Sequence, residues 1–467
     1  MSKKALLINP PTGNYIRDDR CQVPAESISS ALRAPMDLLY YATILQHHGY
    51  RCLLRDYPAE GMALDDFLTD IMEFRPDILV VSVTTPTLTG DLACIATAKK
   101  ADPRLLTVAK GAHLAVDEIK VMEVCAALDI AIRQEAEKAV EEIGSGMPLR
   151  EVQGITFREG GSIVRNPGRR QVIDLDWLPL PDRRLLKNEL YVRPDTGERQ
   201  ATILAARGCP MNCIFCLVKV VTGQAISQRS PRSIVEEIGV CVRNFNIRNF
   251  YFRADTFTWD RTWVIKICDL ITAAGLKVNW VCNSRVNTLD EELLVKMKLA
   301  GCWMIGLGVE SGNQMVLDKI KKGITVEAAK RAVRLCRRFG IKTYNFFVLG
   351  FPWDDEETIK DTLDLALELD SDFVEFHSAY PFPGTEFHEM ALAQGLVEPG
   401  RLVGQDVMST PVRTLHLDNK RLQALRRRAT KKYYLRPAYL YKTLCRVESP
   451  KVLINYLRKG VNLLFKL

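Results

Sequence analysis

The stretch DILVVSVTT (77–85) is apolar or β-branched at almost every position, and no other feature limits the fold as strongly. A strand with one wet face alternates apolar and polar residues, so an unbroken run has to be covered on both sides. Helical stretches stand ready to cover it: LDDFLTDIMEFRP before it and residues 88–100 after it. The same order recurs through residues 5–145. ALLINPP, RCLLRDYP, RLLTVAK (104–110) and the first part of 128–143 read as strands set between helices such as APMDLLYYATILQHHGY. This pattern predicts a doubly wound, Rossmann-like parallel sheet. Ligands of such sheets lie beyond the carboxyl ends of the strands, here NPPTG (9–13), SVTTPTLTG (82–90) and KGAHL (110–114).

Residues 150–200 break the rhythm with a hairpin, GITFREGGSIVRN, turning on Gly160-Gly161, and a proline-punctuated stretch, DWLPLPDRRLL. From residue 201 the alternation resumes with strands at 201–206, 248–254, 277–284, 302–309, 342–349 and 371–378. Six β/α units predict a partial TIM-like (β/α)6 barrel with its chemistry at the carboxyl ends of the strands. The expected organisation is a Rossmann-like domain over 1–148, a connector with a hairpin over 149–198, a barrel over 199–400 and a basic helical region over 401–467.

A chain of 467 residues exceeds one ordinary core, and its 47% hydrophobic and 26% charged content is that of a globular protein. MSKKALLINPP enters a strand at once and has no leader pattern, so the expected location is the cytoplasm. Charge is uneven. Residues 411–467 hold fifteen Lys and Arg against Asp418 and Glu448 and carry the whole positive excess, so a partner for this tail would be anionic. Its apolar residues recur at helical spacing, which suits either peripheral contact with an anionic membrane or a solvated face packed on the barrel. No base-stacking or RNA-binding module accompanies the charge, and nucleic acid is not expected.

Thirteen cysteines are present, and ten are scattered singly through mostly apolar segments, as small hydrophobes are in a reducing compartment. The other three, Cys209, Cys213 and Cys216, fall within RGCPMNCIFC (207–216), just after the first barrel strand. A cubane of four irons takes one thiolate per iron, so C-x3-C-x2-C holds three corners and leaves one open. An open position separates a reactive metal site from a closed structural one. The alternative is zinc, with a histidine or a remote cysteine as fourth ligand.

RGCPMNCIFC resembles the cysteine motif of the radical S-adenosylmethionine (SAM) enzymes. The resemblance continues through ADTFTWD, NSRVNTLDEELLVKMKLAGC, GLGVESGN, VLGFPWDDEET and AYPFPGTEF. It implies a [4Fe–4S] cluster on Cys209, Cys213 and Cys216, with Phe215 beside it and SAM chelated at the open iron. One electron, from a donor such as a flavodoxin or ferredoxin, then cleaves SAM to a 5′-deoxyadenosyl radical that takes hydrogen from substrate. Asp255 and Thr256 are placed to meet the SAM amine or to cap a turn. Asn283 and Arg285 suit ribose or carboxylate, with a surface ion pair as the other use of Arg285. Glu310 ends an apolar strand and needs SAM or a lysine as partner. Gly350 allows close approach of adenine or simply a turn. Tyr344, Asn345 and His377 are substrate-side candidates that could equally be core.

The front domain resembles the cobalamin (B12)-binding domain that precedes the barrel in one class of radical SAM enzymes. By that resemblance Ser82, Thr84, Thr85, Gly111 and His113 would contact cobalamin. Two departures stand out: Lys110 replaces the first glycine of a G-G-x-H pattern, and IRQEAEKAV replaces a glycine-rich stretch. No D-x-H-x-x-G segment is present, so His113 is not expected to ligate cobalt. The implied reaction is cobalamin-dependent methylation of an unactivated carbon on a small-molecule or lipid-like substrate. The alternatives are radical cyclisation, rearrangement or coupling without methyl transfer, and a non-catalytic iron–sulfur or zinc protein.

Overall fold

A computed structural model of the chain describes residues 2–17, 22–24, 32–398, 402–409, 411–445 and 452–455. Strands β1 (Lys4–Asn9), β2 (Arg51–Asp56), β3 (Ile78–Ser82), β4 (Leu106–Lys110) and β5 (Ile130–Ile132) are parallel in the order β2-β1-β3-β4-β5. Both faces are covered, as the unbroken β3 run requires. Leu7, Val80, Val108 and Ile130 pack on one side with the helix Met36–His47. Leu6, Leu79, Val81 and Ala109 pack on the other. The helix Leu114–Val124 has no clear sequence signal, because a kink at Asp117 breaks its period.

One expectation is corrected. The Gly160-Gly161 hairpin does form, as β6 (Ile155–Glu159) and β7 (Ser162–Arg165), but it is not a free connector. β6 pairs antiparallel with β5, so the hairpin extends the first sheet to seven strands. The sequence marks the turn, while the pairing partner is a tertiary choice.

The second unit starts at β8 (Gln200–Leu204). A short antiparallel ribbon, β9 (Ala206–Arg207) with β10 (Ser227–Gln228), then brackets the cysteine loop. β11 (Asn249–Arg253), β12 (Asn279–Ser284), β13 (Cys302–Glu310), β14 (Lys342–Leu349) and β15 (Phe373–Ser378) complete a six-stranded parallel sheet ordered β15-β14-β13-β12-β11-β8. This is the expected partial barrel.

Six strands leave β8 and β15 as raw edges whose backbone groups need partners. At β8 two buried arginines supply them. Arg183 donates to the Thr202 carbonyl at 2.6 Å and Arg229 to the Leu204 carbonyl at 3.3 Å. Both guanidiniums also pair with buried Glu237. Burial would raise the Glu237 carboxyl, but the two arginines outweigh it and hold the group below its ordinary range.

At β15 the basic C-terminal region does the same work with tyrosines. Tyr434 Oη accepts from Val374 N at 3.0 Å and donates to Val374 O at 2.6 Å. Tyr439 donates to Asp372 O at 2.9 Å, and Ser378 N donates to Val407 O at 2.8 Å. Phe376 O accepts from Arg426 at 3.4 Å, so alternate residues 372, 374, 376 and 378, the outward-facing ones of an edge strand, are each served. The helices Asn419–Tyr434 and Pro437–Cys445 therefore cover the barrel edge; most of SPKVLINYLRKGVNLLFKL lies outside the described residues. Tyr434→Phe strands both Val374 groups. It should lower stability by about 1–3 kcal/mol, read as an earlier denaturant midpoint at unchanged slope.

Candidate active site

The cysteine loop is fixed at both ends by backbone geometry. Gly208 has φ +88° and lies so close to the returning chain that a Cβ would stand 1.9 Å from the Ala225 carbonyl oxygen. No other residue fits there. Its amide donates to Asp255 at 2.8 Å, and Thr222 Oγ1 donates to the same carboxylate at 3.4 Å. Asp255 is thus part of the frame of the loop. Cys209 Sγ lies 3.8 Å from Thr256 Oγ1. Further along, Ile214 N donates to Ile320 O and Phe387 N to Ile214 O, tying the loop to the rest of the barrel. Phe215 packs on Phe351, ring centroids 5.4 Å apart.

All three cysteines lie outside any disulfide among the described residues and line one cavity of about 870 Å³ with the inner barrel wall. Among the described residues no three His, Cys, Asp or Glu side chains converge on a point as the ligands of one ion would. Thiols on a loop over an open cavity are the donor set a multi-iron cluster takes.

Asp255, Thr256, Asn283, Arg285 and Glu310 line the same cavity. Asn283 donates to Tyr251 Oη at 3.1 Å, and Arg285 is buried with its guanidinium on the Lys322 carbonyl, so it is no surface ion pair. Glu310 finds the lysine the sequence called for. Its carboxylate pairs with the ammonium of Lys322, and both are buried. Glu310 also holds φ +68° where β13 slips register against β14, a strained non-glycine backbone at the cavity wall. Lys322, twelve residues on, carried no sequence signal.

The substrate-side candidates divide by strand parity. Tyr344 and His377 face the cavity, with Phe346 and Val348 on the same side. Asn345 does not. It points to the opposite face and donates to Ser371 Oγ at 2.7 Å within the core, because successive strand residues face opposite ways. Gly350 is not among the residues that line the cavity. A Cβ there would stand 2.5 Å from Leu422 of the covering helix, and its amide donates to Asp354 at 2.7 Å. Glu375, which sequence reading passed over, lies between the two candidates. It accepts from Tyr344 Oη and stands 3.3 Å from His377 Nε2, buried and facing the cavity. Its signal was its parity with His377.

In the first sheet, Ser82 ends β3 with its Oγ buried and without a hydrogen-bond partner among the described residues. Thr84 and Thr85 lie just beyond and meet the Gln22 side chain, while Thr85 Oγ1 is 3.2 Å from His113 Nδ1. Burial holds the His113 imidazole below its ordinary pKa. Gly111 (φ +153°) is required by packing, since a Cβ would stand 2.0 Å from the Val83 carbonyl oxygen. An orphan hydroxyl at the carboxyl end of a central strand fits a bound polar ligand there.

The two departures have uses elsewhere. Lys110 forms a buried ion pair with Asp37 on the helix Met36–His47. Asp37 also faces Arg253 of β11 at 3.6 Å. Glu135 and Glu137 of IRQEAEKAV grip Arg207, the residue that leads into the cysteine loop, Glu135 at 3.4 Å. Burial pushes the Glu135 carboxyl up against the pull of Arg207.

Residues 203–366 match the Radical SAM superfamily, and residues 33–144 match the B12 binding domain. An uncharacterized methyltransferase of Pyrococcus horikoshii is 28% identical over 446 residues, 94% of each chain. The anaerobic magnesium-protoporphyrin IX monomethyl ester cyclase of Rubrivivax gelatinosus is 28% identical over 76% of this chain and 66% of its own. Among solved structures, the cobalamin-dependent SAM radical enzyme OxsB, with aqua-cobalamin and SAM bound, superposes with a TM-score of 0.74 at 15% identity. That match covers 99% of this chain and 71% of OxsB. Fold, cysteine loop and matches make the protein a radical SAM enzyme. Within that superfamily it belongs to the enzymes that carry a B12-binding domain ahead of the barrel.

Two outcomes follow from these contacts. Arg207→Met leaves Glu135 and Glu137 buried without their cation and should cost about 3–5 kcal/mol in urea unfolding. Asp354 is pushed up to about 6 by burial, even though Gly350 N, Phe351 N and Thr358 donate to it. Between about pH 4 and pH 6 the folded chain keeps a proton that the unfolded chain has released, so this group's contribution falls as pH rises. Asp354→Asn should therefore gain about 3 kcal/mol relative to the parent between pH 4 and pH 7, read from paired denaturant midpoints.

Proposed function

We propose that the chain catalyses SAM-dependent radical methylation of an unactivated carbon, with cobalamin as methyl carrier. The observation that carries this reading is the cysteine trio on one loop, lining a cavity that residues of both units line. In this reading residues 1–148 hold cobalamin, 199–400 form the reaction chamber, and the described helices of the region 401–467 cover its edge. Cys209, Cys213 and Cys216 hold the cluster. Glu310 with Lys322, Arg285 and Asn283 hold SAM, while Ser82, Thr84, Thr85 and His113 face cobalamin.

When bound, these groups supply reductive cleavage of SAM and a methyl group for the carbon that loses hydrogen. The protein's own part is placement. Asp255 fixes the start of the cysteine loop through the Gly208 amide. The Lys322 ammonium holds the Glu310 carboxylate in one orientation, so a cationic group of SAM meets an oriented acceptor. Phe346, Val348, Tyr380 and Phe382 line the cavity and exclude water, which protects a radical from quenching. Glu375, steadied by Tyr344, offers a carboxylate to a donor group of the substrate.

A second reading, radical ring closure without methyl transfer, is favoured by the likeness to the cyclase. The electron comes from a low-potential donor such as a flavodoxin or ferredoxin. No helix among the described residues is long and apolar enough to cross a membrane. After anaerobic reconstitution with iron, sulfide and cobalamin, reductant and SAM should yield 5′-deoxyadenosine, and Cys213→Ala should yield at least a hundredfold less. S-adenosylhomocysteine alongside it supports methylation. 5′-Deoxyadenosine alone supports the second reading, and neither product from an intact cluster overturns both.

A further inference from the structure

Barrel lumens of parallel strands are normally filled by side chains. This one is not. Gly306 and Gly308 face inward on β13, and the cavity continues past Tyr344 and Phe373 to the amino ends of the strands, where Trp303, Lys342 and Asp372 line it. That end is roofed by the C-terminal segment. Tyr439 and Lys442 bond to Asp372 and Asp370 at the start of β15. Asn455 donates to the Asp195 carbonyl, just before β8, at 2.9 Å.

Among the described residues the roof has a mouth. Leu435, Leu440 and Leu444 line the cavity and yet stay 43%, 46% and 61% exposed to solvent. Side chains that touch interior space and solvent at once mark an opening, and this one is rich in leucine, with Lys442 and Thr443 beside them. Leu435 has a second neighbourhood. It ends a surface groove along the helix Asn419–Tyr434 lined by Lys420, Arg427, Arg428, Lys431 and Lys432. Among the described residues none of these five cations pairs with an acid, and no acid lines the groove. Like charges crowded along one helix face repel, and an anion laid among them relieves the repulsion.

A basic groove that opens through one shared leucine onto an apolar channel is complementary to a molecule with an anionic head and a hydrocarbon chain. The geometry points to an anionic lipid as the substrate class, its head held by Arg428, Lys431 and Lys432 and its chain entering past Leu435, Leu440 and Leu444. This assignment rests on the reading that the reaction takes place in the cavity.

Trp303 reports entry directly. The test adds a terminally brominated alkyl phosphate of about twelve carbons to the reconstituted full-length protein and follows tryptophan quenching, with Trp303→Phe as the reference. Saturable quenching that Trp303→Phe lacks is expected, with no effect of inorganic phosphate. Joint Leu440→Asp and Leu444→Asp should abolish it. Joint Arg428→Glu, Lys431→Glu and Lys432→Glu should weaken binding by at least tenfold, about 1.4 kcal/mol. No quenching of Trp303, quenching that neither variant set changes, or equal binding of the brominated alcohol would overturn the assignment. Formation of 5′-deoxyadenosine is measured in parallel without the amphiphile. Its absence with quenching intact sinks the radical reading alone, and its presence without quenching sinks the lipid assignment alone.

Discussion

A parallel barrel of six strands cannot close, and the rest of the molecule answers that constraint. Every outward amide and carbonyl of β8 and β15 would otherwise face a low-dielectric gap or invite another strand. The protein covers one edge with Arg183 and Arg229, neutralised by Glu237 between them, and the other with hydroxyls of the C-terminal helices. The connector and the tail are therefore parts of the barrel, although neither contributes a strand to it. The same gap leaves the lumen hollow. A closed eight-stranded barrel would have spent that volume on packing.

The front unit is set against the barrel by charge as well as by apolar contact. Arg207 links IRQEAEKAV to the first residues of the cysteine loop, and Asp37 bridges Lys110 and Arg253. Buried ion pairs contribute little net stability, because desolvation offsets most of the attraction. Their value here is positional, since a slipped orientation would leave Arg207 or Asp37 buried without a partner. Chemistry at the cysteine loop requires the front unit in register, and these pairs penalise any other arrangement.

Local pattern carried most of the fold. Strand positions at 302–309 and 342–349 were readable because each run is long, apolar and bounded by turns, and Gly160-Gly161 gave its turn away. The cysteine trio was legible from spacing alone, and so was the need of Glu310 for a cation. What escaped was pairing at a distance. Lys322, Glu137 and Tyr434 become functional only once the chain has folded, and nothing in their neighbourhoods announces the partner. Asn345 takes the core alternative that the sequence left open, because period-two parity puts it opposite Tyr344, while the same parity draws Glu375 in beside His377. The departures at Lys110 and IRQEAEKAV looked like losses of ligand space, whereas IRQEAEKAV grips the second unit through Arg207 and Lys110 pairs with Asp37, which itself faces Arg253.

The central claim is that three thiolates hold a four-iron cluster and leave one iron open to SAM. Electron paramagnetic resonance of the anaerobically reconstituted, reduced protein, recorded with and without SAM, tests it most directly. The account predicts a reduced four-iron signal whose g-values shift when SAM is added, because one iron changes its ligands. A four-iron signal indifferent to SAM, or zinc bound in place of iron, would contradict it.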